Sequence, residues 1–300
     1  MSRVPASVLG LLLVLASAAG ADSRGVRFDG TAAFRHVERL VAIGPRPAGS
    51  PGGRRAREYI VAELRRTGVQ VRVEPFEAET PEGRVNMANV VGVLAGRRSD
   101  VILLGGHYDT KVFRNFRFVG ANDGGSSTAL LLELARVLAA RPRESTYWIV
   151  FFDGEEAREA WTSVDSLYGS RRMAADLARR NRLPRVVIVA DMIGDRDLNI
   201  RREAASTPWL TDLIWHSARR LGQSAHFLAD TVAVEDDHAP FLQAGVPATL
   251  LIDFDFPPWH TAHDTLDKVS ARSLQVVGDV LLDALPALEE RLALLPGRPR

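Results

Sequence analysis

Hydrophobic and polar positions alternate in two different periods along most of the chain. From about residue 30, apolar runs of strand length are separated by segments whose apolar residues recur at helical spacing. The pattern predicts strands at 69–78, 87–96, 101–110, 147–154, 185–194, 224–230 and 247–254. It predicts helices at 34–44, 54–68, 126–140, 207–222 and 273–295, the last of them broken or kinked at Pro286.

The central strands are continuously apolar, as in VILLGG at 101–106 and VVIVA at 186–190. Strands of this kind are buried on both faces, and their alternation with helices is typical of a sheet covered on both sides. We therefore predict an α/β fold, a three-layer sandwich with a central mixed, mostly parallel sheet flanked by helices. Residues 30–295 are expected to form a single domain.

Composition narrows the class of protein without identifying it. The 300 residues are 46% apolar and 25% charged, which is ordinary for a globular protein. Because 38 basic residues nearly balance 37 acidic ones, nucleic acid is not expected as a partner. The sequence has no cysteine, which excludes disulfides, thiol catalysis and a lipid anchor on cysteine. A monomer is the plain expectation.

The first 21 residues have the pattern of a secretory signal peptide. A short basic start precedes an apolar run at 8–18, and small residues at 19–21 supply a cleavage site after Ala21. An uncleaved membrane anchor is the alternative, but the apolar run is short for a membrane span. The mature chain is therefore expected to be secreted or periplasmic, with no stable membrane insertion after cleavage.

Polar side chains follow the predicted strands at the positions where sites form in open α/β sheets, beyond the carboxyl ends of the strands. Each such side chain alone could be an ordinary hydrogen-bonded loop residue, and only their coincidence is informative. The possible N and O ligands at four strand ends and one helix entry are His107, Asp123, Glu156, Asp191 and His260.

Two imidazoles and several carboxylates in these positions suit a zinc ion, and the lack of cysteine ligands fits a catalytic rather than a structural zinc site. The adjacent Glu155 and Glu156, in FFDGEEA, would repel each other at the end of a buried strand. A cation would offset that repulsion. Because neighbouring side chains of an extended backbone point to different sides, Glu156 can bind a metal while Glu155 faces a substrate.

The order of these motifs resembles the zinc aminopeptidase superfamily with the cocatalytic zinc fold. The matching tracts are HYDT at 107–110, the Asp of GANDGG, FFDGEEA, the Asp of ADMIG and Trp-His-Thr at 259–261. Most of the chain from about residue 30 further resembles the animal-type glutaminyl cyclases. The additional matches are HYDTK and FVGA within 107–121, LLLELARVL at 130–138, DSLYGSR at 165–171, EDDHAPFLQAGVP at 235–247 and PPWHT at 257–261.

The resemblance implies a role for individual residues. One zinc would be held by Asp123, Glu156 and His260, leaving a position for water or substrate. Glu155 looks like the general acid and base, with Asp191 and Asp236 as its hydrogen-bonding carboxylate partners. The residues that resemble the walls of the substrate pocket are Trp161, Val234, Phe256 and Trp259.

The activity that this resemblance implies is the zinc-assisted conversion of the N-terminal Gln of peptides or proteins to pyroglutamate, with release of ammonia. The alternative is a dinuclear zinc aminopeptidase, in which His107 and Asp191 hold a second zinc and Asp123 bridges the two. GANDGG is closer to the peptidase pattern than to the GATDS of animal cyclases. The inserted segment carrying Trp161 and the EDDH at 235–238 favour the cyclase. An inactive scaffold should have lost a ligand or the base, and none is missing.

Overall fold

The computed structural model of the protein describes residues 26–295. The predicted signal peptide at 1–21 lies outside the described residues. Within the part of the chain that the structure describes, no helix is both long and apolar enough to cross a membrane.

The described residues form one eight-stranded sheet and seven α-helices. The strands are β1 (Gln70–Thr80), β2 (Gly83–Leu94), β3 (Val101–His107), β4 (Thr146–Phe152), β5 (Val186–Asp191), β6 (Ile200–Glu203), β7 (Phe227–Val232) and β8 (Ala248–Ile252). The helices are α1 (Gly30–Ile43), α2 (Pro51–Arg66), α3 (Gly125–Ala139), α4 (Tyr168–Arg179), α5 (Pro208–Arg220), α6 (Ala239–Gln243) and α7 (Ala271–Leu294).

The strands lie in the order β1–β2–β4–β3–β5–β8–β6–β7. The four central strands β4, β3, β5 and β8 run parallel to one another, so their carboxyl ends lie along one edge. Antiparallel pairing occurs between β1 and β2, between β2 and β4, and between β6 and β8. The prediction of a mixed, mostly parallel sheet is confirmed.

Helices cover the sheet on both faces, as the continuously apolar strands predict. Along β5, Val186, Ile188 and Ala190 belong to one buried apolar cluster, whereas Val187 and Val189 belong to another. This alternation follows from the two-residue period of a strand. Helices α1, α3, α5 and α7 pack into the first cluster, and α4 and α6 pack against the second.

Helices α1 and α2 begin three or four residues before their predicted starts at 34 and 54, and the residues that cap them explain the difference. Helix α1 begins at Gly30 because the Asp29 carboxylate accepts hydrogen bonds from the N–H groups of Thr31 and Ala32, at 2.9 and 3.1 Å. Helix α2 begins at Pro51 behind Ser50, whose hydroxyl accepts from the Gly53 N–H. In both cases a capping side chain sets the start, ahead of the first regular apolar spacing.

Of the two alternatives predicted at Pro286, a break is wrong, because α7 continues without interruption to Leu294. An internal proline costs a helix about 3 kcal/mol. Burial of Leu281, Leu285 and Leu288 against the core offsets that cost. The sequence pattern also missed the four-residue β6 and the helices α4 and α6. The first and last of these elements are too short to display a period.

Candidate active site

The candidate site lies where the central parallel strands end. His107 is the last residue of β3 and Asp191 the last of β5, and these strands are neighbours in the sheet. Glu155 and Glu156 follow β4, which pairs with the other side of β3. His260 comes from the loop after β8, and Asp123 from the loop before α3. The sheet topology thus brings distant parts of the chain to one edge, as the predicted strand ends suggested.

Two groups of possible metal ligands share Asp123. His107 Nε2 lies 3.2 Å from Asp123 Oδ1 and 3.0 Å from Asp191 Oδ1. His260 Nε2 lies 3.3 Å from Asp123 Oδ2 and 3.1 Å from Glu156 Oε1. Within each group the ligand atoms all lie within 4.8 Å of one another. Each imidazole nitrogen therefore faces two carboxylates, and Asp123 offers one oxygen to each group.

The electrostatics of the site indicate an excess of buried negative charge. Burial, reinforced by the charge of Asp123, raises the pKa of Glu156 to about 7. Burial and the carboxylates of Glu156 and Asp236 raise the pKa of Glu155 well above its ordinary value. Burial lowers the pKa of His260, but Asp123 and Glu156 outweigh that effect and raise it to about 9. Carboxylates that resist ionisation in this way would be stabilised by a cation.

The residues present fit a metal ion such as zinc. The donors are the imidazole nitrogens and carboxylate oxygens that zinc accepts. Asp123 Oδ2 is buried yet accepts no well-formed hydrogen bond, although buried polar atoms are normally satisfied. The group Asp123, Glu156 and His260 opens onto a cavity, which leaves room for a further ligand.

Two carboxylates behind the site hold the backbone of the ligand loops. Asp109 accepts hydrogen bonds from the N–H groups of Glu155 and Glu156, at 3.1 and 3.4 Å. Asp264 accepts from the N–H groups of Asn122 and Asp123, at 2.8 and 3.1 Å. These bonds fix the turn before α3 and the turn after β4, and therefore the directions of their ligand side chains.

Arg46 is a fully buried cation that holds the backbone of the same loops by hydrogen bonds. Its guanidinium donates to the backbone carbonyls of Tyr108, Val119 and Gly120, at 3.0, 2.5 and 2.9 Å. Burial lowers the pKa of Arg46 to about 10, against the opposing charges of Asp264, Asp123 and Asp109. Sequence reasoning missed this residue, because it lies in a proline-rich turn with no apolar period to predict burial.

Backbone strain is present at two positions of the site. His260 has φ 54° and Met192, directly after Asp191, has φ 47°. The left-handed region costs a residue with a Cβ roughly 1–2 kcal/mol. The Met192 N–H donates to Asp191 Oδ1 at 2.8 Å, which holds the strained turn against the carboxylate. Strain of this kind is found at functional sites, where the surrounding structure maintains it.

A cavity of about 480 Å³ lies over the ligands. Trp161, Val234 and Trp259, three of the four predicted wall residues, line it. Trp259 stacks on the His260 ring with centroids 4.2 Å apart. The fourth predicted wall residue, Phe256, does not line the cavity. It is buried in the second apolar cluster, against which α4 and α6 pack. Phe254, two residues earlier, lines the cavity, and its ring centroid lies 4.8 Å from that of Trp259.

The predicted catalytic carboxylates Glu155, Asp191 and Asp236 are all buried and all line this cavity. Burial and the neighbouring charges of Asp191 and Asp237 raise the pKa of Asp236 well above its ordinary value. The cavity also contains charged residues that sequence reasoning did not place there. These residues are Lys111, Glu159 and Glu235.

Comparison with known proteins agrees with this geometry. Residues 89–285 match the model of peptidase family M28. The glutaminyl-peptide cyclotransferase of Bos taurus is 30% identical over 274 residues, covering 78% of this chain and 75% of the relative. That of Drosophila melanogaster is 29% identical and covers 83% and 78%.

The chain is also similar to solved structures. The glutaminyl cyclase of an Acidobacteriales bacterium is 42% identical with a TM-score of 0.85, covering 91% of this chain and 99% of that one. A Zn-dependent exopeptidase of Parabacteroides distasonis, at 24% identity and a TM-score of 0.79, covers 86% and 97% and shares the fold. The chain therefore belongs to peptidase family M28 and, within it, to the glutaminyl-peptide cyclotransferase family.

Proposed function

We propose that the protein converts the N-terminal Gln of peptides or proteins to pyroglutamate and releases ammonia. The observation that carries the proposal is a cavity with Glu155 and a metal-binding group at its base and the indoles of Trp161 and Trp259 at its walls. Relatives named for this activity, and solved glutaminyl cyclases, cover most of the chain.

Asp123, Glu156 and His260 would hold a zinc ion in this reaction. Zinc bound there would act as a Lewis acid on the γ-carbonyl of the substrate Gln. The position of Asp123 between two imidazoles keeps its pKa below the ordinary value, although burial alone would raise it. A carboxylate that stays ionised at neutral pH is suited to binding a cation.

Glu155 is the group proposed to move the proton. In the ring closure the α-amine nitrogen bonds to the carbonyl carbon of the side-chain amide, Cδ, and the bond from that carbon to the amide nitrogen breaks. Glu155 takes a proton from the attacking amine and returns it to the leaving ammonia, a role worth about 10²–10⁴-fold in rate. Burial and the charges of Glu156 and Asp236 raise its pKa well above the ordinary value, and a raised pKa makes its carboxylate a stronger base toward the attacking amine. Asp191 and Asp236 are proposed to hold Glu155 in place.

The walls of the cavity would position the side chain of the substrate. Because amine and amide belong to one residue, holding the side chain folded back brings the reacting atoms together at little further entropic cost. Trp161 and Trp259 both line the cavity, and 40% of each is exposed, so each indole has surface available to a substrate side chain. Flat apolar walls also limit the access of water, which would otherwise compete as a nucleophile.

A second candidate function, dinuclear aminopeptidase, rests on one observation. His107, Asp123 and Asp191 form a second group able to hold a metal, and Asp123 belongs to both groups. Two metals bridged by one carboxylate would activate a water instead of positioning an amine.

Parallel assays with a Gln-initiated and a Leu-initiated peptide separate these candidates. The zinc-loaded protein should form pyroglutamate and ammonia from the first and leave the second intact. Release of free Leu, together with about two zinc ions per chain, would contradict the cyclase and support the peptidase.

We further propose that the protein acts outside the cytoplasm as a monomer. The first part rests on the residue pattern at 1–21 and predicts that the mature protein begins at Asp22. N-terminal sequencing tests the processing, and sedimentation analysis tests the monomer.

A further inference from the structure

Two exposed glutamates stand at the mouth of the cavity. Glu159 belongs to the loop after Glu156, and Glu235 to the loop before Asp236. Both line the cavity, and both are exposed where the deeper carboxylates are buried. A peptide whose first side chain reaches the metal-binding group must lead its second residue out past this mouth.

Two arginines of the neighbouring loops are paired with Glu82. Arg158 donates to Glu82 through Nε and Nη2, at 2.9 and 2.5 Å, and Arg114 donates to the same carboxylate at 2.8 Å. The Lys111 ammonium, which also lines the cavity, donates to the Ala157 carbonyl at 2.9 Å. Among the described residues that line the cavity, the two exposed carboxylates of Glu159 and Glu235 therefore stand against one ammonium that is already hydrogen-bonded.

Glu235 also fixes the neighbouring wall. Its Oε2 accepts a hydrogen bond from Trp161 Nε1 at 3.1 Å, which joins the two loops across the mouth. This bond occupies one carboxylate oxygen, so Oε1 can accept from a substrate donor. The negative charge is thus anchored beside the indole that would contact the first residue of the substrate.

We propose that Glu159 and Glu235 select substrates in which a Lys or Arg follows the N-terminal Gln, and disfavour those with Asp or Glu there. The inference rests on the proposed cyclase function and names its preferred peptide class. An exposed ion pair changes affinity by roughly two- to fivefold, so two carboxylates should separate basic from acidic substrates by about tenfold. The separation should act mainly on KM and should shrink as salt screens the charges.

The test compares three peptides that differ only at the second residue: Gln-Arg-Ala, Gln-Ala-Ala and Gln-Glu-Ala, as C-terminal amides. We would measure kcat/KM at low and high ionic strength for the wild-type holoenzyme and for Glu159→Gln, Glu159→Lys and Glu235→Gln. The Gln side chain at 235 removes the charge while its amide oxygen can still accept the Trp161 N–H. Glu290→Gln is the matched control, because Glu290 is an exposed acid of α7 that does not line the cavity.

The wild type should favour Gln-Arg-Ala over Gln-Glu-Ala by about tenfold at low salt, through KM. Each neutral variant should lower that ratio, Glu159→Lys should lower it further, and Glu290→Gln should leave it unchanged. A wild-type ratio near one, or a ratio that Glu159→Lys does not move, would overturn the inference while pyroglutamate formation continues. Absence of pyroglutamate from all three peptides would overturn the proposed function and this inference with it.

Discussion

Replacement of Arg46 by Met should destabilise the protein through the loops that carry the metal ligands. The substitution keeps an unbranched side chain of similar length but removes every donor of the guanidinium. The carbonyls of Tyr108, Val119 and Gly120 are then left without the buried donors that they have at 3.0, 2.5 and 2.9 Å. Each orphaned buried acceptor costs about 1–3 kcal/mol.

Part of that cost is offset, because the variant no longer buries a charge. Burial lowers the pKa of Arg46 to about 10, so the native cation itself carries a desolvation penalty. Breaking one side of a buried charged network still costs about 3–5 kcal/mol in other proteins. Allowing for relaxation of the loop, we expect Arg46→Met to lower the free energy of unfolding by about 2–4 kcal/mol.

The same substitution should weaken metal binding, because Gly120 lies in the loop that leads to Asp123. Loss of a group that orients a ligand typically costs about 10–100-fold in metal affinity. Urea unfolding with and without zinc measures both effects, and Arg97→Met is the control, since the Arg97 side chain is 75% exposed. If Arg46→Met unfolds within about 0.5 kcal/mol of the wild type, as an ordinary surface substitution does, the assigned role of Arg46 is wrong.

The remaining predictions concern the ligands and one buried pair. Glu155→Gln should keep zinc and lose about 10²–10⁴-fold in kcat, whereas Glu156→Gln should lose zinc affinity; equal zinc loss in both would refute this division. Chelation should lower Tm and readdition of zinc restore it, because the carboxylates around Asp123 then lose their counter-charge; an unchanged Tm would contradict a bound metal. The Glu203 carboxylate accepts a hydrogen bond from His238 Nε2 at 3.0 Å. Burial raises the pKa of Glu203, but this hydrogen bond and other hydrogen bonds to the same carboxylate lower it to about 2. The ionised Glu203 therefore stabilises the fold at pH values above its unfolded pKa of 4.5, and this stabilisation is lost as pH falls toward the folded pKa of about 2. Glu203→Gln should flatten the dependence of unfolding free energy on pH in that window, and an unchanged acid slope would contradict the pairing.

Regular elements made part of the site predictable. The continuously apolar strands indicated a parallel centre, and parallel strands end along one edge, so residues such as His107 and Asp191 could be expected to meet. The structure brings them within 3.0 Å. Asp123 could be placed beside them because it precedes a helix entered from the same edge.

The site residues that lie in irregular segments could not be predicted in this way. Arg46 and Asp264 lie in turns, where no period relates sequence to burial, so their support of the ligand loops could not be foreseen. In the turn after β8 the sequence offered two phenylalanines, and the structure buries Phe256 while Phe254 lines the cavity. Which of two neighbouring aromatic side chains faces a cavity depends on the local backbone path, and tertiary contacts determine that path.

The most direct test of the proposed activity uses one peptide with two distinguishable fates. The zinc-loaded protein is incubated with Gln-Leu-Ala amide, and the products are followed by mass spectrometry. We expect a peptide of unchanged length that has lost one ammonia, with no free amino acid. Release of free Gln and the dipeptide Leu-Ala amide would contradict it, because that result requires water to attack the first peptide bond.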